Sequence, residues 1–335
     1  RWAVIASGTP LFLSSVGELA AHSPDVPELP APSGHESWAF LPLTASGVTF
    51  GVCVLSFDRP RLPTDDERTL LTTITALVAQ SLERAKLYDA EHTRSRELQR
   101  GLLPRGLPSV SACTAAARYL PAGQGMDVGG DWYDIIPLSG GQVALVVGDV
   151  MGRGLAAAAT MGRLRTVART LMALDIAPER LLARLDLAAR DLEEDQVATC
   201  LCAVYDPCGG TFRIASAGHP PPLLTGPDGT VSFLEVPTGA PLGTGVIPYD
   251  PVERPVPERS RLTLYTDGLV RSRTADLGTQ LERLREALRD GLPEDAAACR
   301  TVAERIGDDR SDDAIVLAAL ARPLDPECDV YVRTL

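Results

Sequence analysis

Four aspartates of this 335-residue chain each stand at the end of an apolar, strand-like run. Asp131 opens DWYDIIPL, Asp149 closes VALVVGD, Asp267 closes RLTLYTDG and Asp312 opens DDAIVLAAL. Each adjoins a glycine or a turn, where the backbone is free to approach a ligand closely. An aspartate in TDG or GD is usually a turn former. These four, however, border runs that read as buried, and a buried carboxylate cluster is costly unless a cation compensates it. An all-oxygen donor set without His or Cys suits Mg2+ or Mn2+, not zinc. Carboxylates holding two such ions are common equipment for activating water against a phosphate ester, which requires neither a lysine nor a protein nucleophile.

Composition narrows the alternatives. The net charge of −12 argues against nucleic acid or an anionic membrane surface as the main partner. No stretch reaches the roughly 18 uninterrupted apolar residues of a membrane span. The start, RWAVIASGTP, lacks the pattern of a signal peptide and an initiator Met, so the chain reads as beginning inside a longer protein. Seven cysteines without a CxxC pair suggest a reducing cytoplasm, with Cys200 and Cys202 as small core residues on one face of a strand. Only four histidines occur and none are spaced HxxxH, which disfavours a zinc site. The single lysine, Lys86, lies in a charged helical stretch, so neither a P-loop nor a protein-kinase lysine is available.

The elements that must position the aspartates follow from periodicity. After a Pro-rich loop, strands are expected at about 38–43 and 48–57 with a turn at Ser46-Gly47. TDDE then caps a helix of about 30 residues, on which Leu71, Ile74, Val78, Ser81, Ala85 and Tyr88 follow 3–4 spacing. This helix reads equally as a spacer or as a parallel coiled coil joining two protomers. LQRGLLPRGLP ends it and marks a boundary. Beyond it come two strong helices, GLAAAATMGRLRTVARTLMAL and PERLLARLDLAARDLEED, then several strand runs, helices at about 277–290 and 294–306, and a final strand. Many strands with helices inserted in pairs suggest an α+β sandwich with sheets inside and helices outside.

The stretch FLPLTASGVTFGVCVLSF followed by PTDDERTLLTTITALVAQSLERAKLY resembles the second half of a GAF domain. The motifs LQRGLLP, VGGDWYD, VVGDVMGRGLAAAATMGRLR, SAGHPPPLL, LTLYTDGLVRSR and RSDDAIVLAAL occur in order. Together they resemble the stage II sporulation protein E-type phosphatases, a bacterial branch of the PPM superfamily of metal-dependent Ser/Thr protein phosphatases. The resemblance implies a PPM α-β-β-α sandwich over 104–322, preceded by the C-terminal part of a GAF sensor domain at 1–88, with a linker helix at 65–103 and a tail at 323–335. It further implies a cytoplasmic enzyme acting on a phosphorylated, anti-anti-sigma-like regulatory protein. Catalysis would use a water activated by two divalent cations, Mn2+ or Mg2+.

Carried over by position, the resemblance makes Asp131 the first metal ligand and Asp149 the carboxylate bridging both ions. The carbonyl of Val150, Asp267 and Asp312 complete the site. Asp313 stands as a neighbour. His219 in SAGHPPP reads either as a proton donor near the site or as a loop histidine bonded to backbone. Arg153, four positions after Asp149, reads either as a contact to substrate phosphate or as a solvated side chain. Within DVGGDWYD, Asp127 reads as a solvated loop residue and Asp134 as structural.

Two other functions match parts of this pattern. GGDWYD superficially matches the GGDEF loop of diguanylate cyclases, but Trp132 stands where that loop has an acid, and a cyclase would leave TDG and SDD unexplained. The alternative function is that of a catalytically inactive phosphatase fold that senses a signal and docks a partner.

Overall fold

The computed structural model describes residues 4, 7–22, 34–104, 106–121, 129–191, 196–272, 274–289, 293, 297–306 and 312–322. Most of the Pro-rich loop, Asp127 and the 323–335 tail lie outside the described residues. The chain divides into two units, Arg1–Glu91 and His92–Leu335.

The first unit holds an antiparallel sheet in the order β1-β2-β3, with β1 at Leu11–Leu13, β2 at Ser37–Ala45 and β3 at Val48–Phe57. Ser46 (φ 49°) and Gly47 (φ 78°) both take positive φ, as a two-residue hairpin turn matched to strand twist requires. Helix α1 covers Val16–His22 and α2 covers Asp65–Leu102. Thr64 and Glu67 close a reciprocal capping box at the start of α2: the Glu67 carboxylate accepts from Thr64 N at 2.8 Å, and Thr64 Oγ1 accepts from Glu67 N at 3.3 Å.

At 38 residues α2 is longer than periodicity suggested, because Gly101 and Leu102 continue it into LQRGLLP and only Pro104 stops it. A different face from the apolar row packs inward. Thr75 and Ala79 are buried, Arg68 lies 5.0 Å over the Phe12 ring and Lys86 lies 4.4 Å over Phe50. Small residues and long cationic stems cover the sheet side, while Leu70, Ile74 and Leu77 remain 49–60% exposed.

The second unit is a sandwich of two sheets. Its strands are β4 (Cys113–Leu120), β5 (Gly129–Pro137), β6 (Val143–Arg153), β7 (Ala198–Asp206), β8 (Thr211–Ala217), β9 (Leu223–Thr225), β10 (Val231–Phe233), β11 (Thr238–Gly239), β12 (Val252–Pro255), β13 (Arg261–Tyr265) and β14 (Ala314–Ala321). One sheet runs β10-β9-β13-β14-β4; the other runs β11-β8-β7-β6-β5, with β12 also paired to β8. Helices α3 (Leu155–Met172) and α4 (Pro178–Arg190) cover the second sheet, and α5 (Leu277–Arg289) and α6 (Ala297–Ile306) cover the first. Strand β14 displays the layering residue by residue. Ile315, Leu317, Ala319 and Ala321 join the main core. Ala314, Val316 and Ala318 join the core under α5 and α6. Strands β4 and β12 carried little sequence signal, being alanine-rich and proline-terminated respectively.

Candidate metal centre

Strands β5 and β6 form a hairpin around the turn at Ser139–Gly141, and the antiparallel register sets Asp131 directly opposite Asp149. The ladder is irregular between Gly129 and Asp131. A Cβ on Gly130 would lie 2.2 Å from the Val150 carbonyl oxygen, so only glycine lets β5 pass that carbonyl without displacing it.

The other sheet contributes from two neighbouring strands. After β13 the chain enters a 3-10 turn at Asp267–Leu269, and Asp312 and Asp313 immediately precede β14. These segments interlock: a Cβ on Gly268 would lie 1.8 Å from the Asp313 carbonyl oxygen. Thr266 stitches the sheets together. Its hydroxyl donates to Asp131 Oδ2 at 2.7 Å and accepts from Ile315 N at 2.8 Å. The Tyr119 hydroxyl donates to Asp313 Oδ2, and Asp313 N donates to Asp312 Oδ1 at 2.9 Å.

Electrostatics ties the acids into one group. Burial, then the charge of Asp149, raises the Asp131 carboxyl well above the usual carboxylate range, and the Thr266 hydrogen bond opposes them. Asp149 is pushed up to about 6 by burial first and by the charges of Asp267 and Asp312, against a hydrogen bond shared with Asp131. Asp267 is also raised, by burial and then by Asp312, with Arg271 opposing. Two arginines answer part of this charge: Arg271 Nη2 lies 2.7 Å from Asp267 Oδ2, and Arg153 Nη2 lies 3.0 Å from Asp312 Oδ2. Among the described residues no three acidic, His or Cys side chains converge closely enough as placed to hold one ion. In donor chemistry the set nevertheless fits hard divalent cations. Asp149 raises the proton affinity of Asp131, while Asp267 and Asp312 raise that of Asp149, and the absence of a Cβ at Gly130 leaves the Val150 carbonyl undisplaced.

The remaining candidates occupy distinct places. His219 is 3% exposed, and both of its ring nitrogens are engaged, Nδ1 with Thr199 Oγ1 at 2.9 Å and Nε2 with the Tyr265 carbonyl at 3.0 Å. Burial lowers its pKa to about 4, with the Tyr265 carbonyl opposing. Asp134 is buried under two guanidinium groups of α3, Arg169 at 2.6 Å and Arg165 at 3.1 Å. Sequence reasoning did not single out Thr266, Arg271 or Tyr119. Thr266 and Arg271 flank Asp267 by one and four positions, which is a usable signal. Tyr119 is 194 positions from Asp313 and offers none.

Comparison with known proteins agrees with this architecture. A family model described as stage II sporulation protein E (SpoIIE) matches residues 139–322, more than half of the chain, and a GAF domain model matches residues 2–82. The phosphoserine phosphatase RsbU of Bacillus subtilis is 26% identical over 53% of this chain and 52% of its own. A Mycobacterium tuberculosis structure of RsbU and RsbW domains is 28% identical with a TM-score of 0.61, covering 67% of this chain and 64% of that one. The SiaA-PP2C domain of Pseudomonas aeruginosa shares the fold, with a TM-score of 0.55 at 22% identity over 72% of this chain and 98% of that one. The chain spans 14–52% of the length of the curated relatives it matches.

Proposed function

The chain belongs to the stage II sporulation protein E family, and we propose that it is a metal-dependent phosphatase acting on phosphoserine or phosphothreonine of a protein. The observation that carries this reading is that Asp131 and Asp149 face each other in one sheet while the charges of Asp267 and Asp312, from the other sheet, raise the Asp149 carboxyl. A relative named as a phosphoserine phosphatase supports the same reaction class.

In this reading Asp131, Asp149, Asp267, Asp312 and the Val150 carbonyl hold two divalent cations, Mn2+ or Mg2+, with Asp149 shared between them. Such ions, when bound, make a water nucleophilic near neutral pH and neutralise charge on phosphoryl oxygens. The protein supplies position. Thr266 fixes the Asp131 carboxyl from the facing sheet, and the close packing of Gly268 on the Asp313 backbone holds the turn after β13 against the start of β14. Arg153 and Arg271, with side chains 40% and 59% exposed, put cationic groups on the rim where a phosphate arrives.

The substrate in this proposal is a phosphorylated regulator of the anti-anti-sigma type, and the N-terminal piece of GAF character acts as its sensor. A cytoplasmic location accords with the six cysteines among the described residues, all of them free. Among the described residues no helix is long and apolar enough to cross a membrane. The exposed row Leu70, Ile74 and Leu77 on α2 supports pairing with a second copy. An Ile74→Glu, Leu77→Glu protein should then sediment at half the mass of the parent; equal masses would remove the pairing.

An inactive docking module remains the second reading, because Asp267 and Asp312 are already engaged by arginines. Hydrolysis of p-nitrophenyl phosphate separates the two. The phosphatase should turn it over with Mn2+ or Mg2+ and lose turnover as Asp149→Asn, whereas a parent inactive with both ions favours docking.

A further inference from the structure

Beside the carboxylate cluster lies a cavity of about 610 Å3 that the metal chemistry leaves unused. Its volume falls inside the roughly 300–1,000 Å3 typical of ligand pockets. Asp267 and Arg271 form one side of it, next to the acids. The rest is mainly apolar, from Pro220, Pro221, Val270, Ala275, Leu277 and Leu281. His219 braces this wall, because its two ring hydrogen bonds tie the Pro220-Pro221 segment to β7 and to the strand that ends before Asp267. Tyr265 also lines the cavity.

We infer that this cavity receives the residues flanking the phosphorylated side chain of a protein substrate and selects for an apolar neighbour there. The inference rests on the phosphatase reading and adds to it a determinant of sequence preference. Asp267 belongs to both the acid cluster and the cavity wall, so a side chain whose phosphate lies at the acids carries its neighbours past Asp267. An extended peptide advances about 3.3 Å per residue with side chains on alternate sides, which brings a residue one or two positions away over the apolar wall. The charge order also matches: Arg271 stands between the acids and that wall, where phosphate gives way to peptide. A free phosphate or a small phosphorylated metabolite would leave the apolar wall uncovered.

The test uses the whole chain with Mn2+, phosphoserine peptides carrying Leu or Glu beside the phosphoserine, and p-nitrophenyl phosphate as a substrate without neighbours. The unaltered protein should prefer the Leu peptides by about tenfold in kcat/KM, mainly through KM, as differences in pocket contacts commonly yield. Ala275→Trp, which fills the cavity, and Leu277→Glu, at a 58% exposed position that leaves the core untouched, should each erase that preference. Each should lower kcat/KM for the Leu peptide about tenfold more than for p-nitrophenyl phosphate. Equal use of both peptides by the unaltered protein would overturn the inference, as would a preference that survives both substitutions, the result expected of a pocket for a small effector. Parallel losses on peptide and p-nitrophenyl phosphate would overturn it too. Failure of the phosphatase reading looks different: no substrate is turned over. Anisotropy of labelled, unphosphorylated peptides then decides the cavity's role, tighter binding of the Leu peptide supporting it and equal binding overturning it.

Discussion

Asp131 and Asp134 lie three residues apart on β5, both almost fully buried, yet their surroundings are opposite in sign. Asp134 faces two guanidinium groups within 3.1 Å. Asp131 faces Asp149 across the ladder, with Asp313 beyond it, and has the Thr266 hydroxyl as its neutral donor. A buried carboxylate compensated by protein cations is an element of structure. One surrounded by further carboxylates requires a cation from outside, and that difference, more than burial or motif, separates a ligand aspartate from a packing aspartate here.

The contrast is sharpest where metal is the readout. Asp149→Asn should lower kcat/KM on p-nitrophenyl phosphate by more than about a hundredfold, the upper range for losing an outer partner of a metal ligand. In the parent, Mn2+ at a hundred times its Kd should add about 2.7 kcal/mol of stability by mass action; calorimetry should show this gain reduced in Asp149→Asn and reversed by EDTA in the parent. Asp134→Ala should do the reverse. It leaves Arg165 unpaired, and stability should fall by about 2–3 kcal/mol, somewhat below the ~3–5 kcal/mol of a fully buried pair because Arg169 is half exposed. Denaturant titration measures this loss, and the folded fraction should keep its response to Mn2+. If the two variants behave alike, the distinction between the aspartates is wrong.

Smaller effects probe how the Asp131 side is held. Thr266→Val removes the hydroxyl shared by Asp131 and Ile315 N. Mn2+ affinity by isothermal titration should fall about tenfold, as for the loss of a group that orients a ligand. Titration of the metal-free protein gives the finest contrast, because the raised carboxyls of Asp131, Asp149 and Asp267 oppose the lowered His219. Asp149 has a folded pKa of about 6 against 3.8 for an ordinary aspartate, so its contribution is full below 3.8 and lost as pH rises through 6. His219 is held near 4 against 6.5, so its contribution is full above 6.5 and lost as pH falls through 4. Asp149 and His219 are each worth on the order of 1–3 kcal/mol at full extent, and between pH 4 and 6 these two largely cancel, so the raised Asp131 and Asp267 leave stability falling as pH rises. His219→Asn should make stability fall more steeply with pH across that window; a slope unchanged from the parent would contradict the His219 assignment.

Much of the sandwich and the membership of the acid cluster can be read from the chain itself. The arms Asp131–Pro137 and Val143–Asp149 are equal in length about a Ser-Gly-Gly turn, so the opposition of Asp131 and Asp149 is implicit in a hairpin reading. The unbroken apolar run of β14 likewise announces a strand buried on both faces. Compensation was harder to see. Arg165 and Arg169 lie one helical turn apart and so share a face, but nothing local says that Asp134 lies beneath it. Arg153 and Arg271 lie four residues beyond Asp149 and Asp267, and Arg153 pairs with the distant Asp312, a choice made by packing between sheets. Helix α2 misled in a different way: its apolar periodicity is real, but Arg68 and Lys86 cover the sheet side instead.

Arg165 has a practical consequence for dividing the chain. While one of its nitrogens pairs with Asp134, another donates to the Leu102 carbonyl at 2.6 Å, and Leu102 packs so closely on α3 that a Cβ at Gly162 would come within 2.8 Å of it. The sequence boundary at LQRGLLPRGLP invites a cut just after Leu103, giving a shortened protein that begins at residue 104. Such a protein would lose both the carbonyl that anchors Arg165 and the leucine that covers Gly162. A fragment that keeps both contacts starts no later than Leu102, within the last turn of the helix.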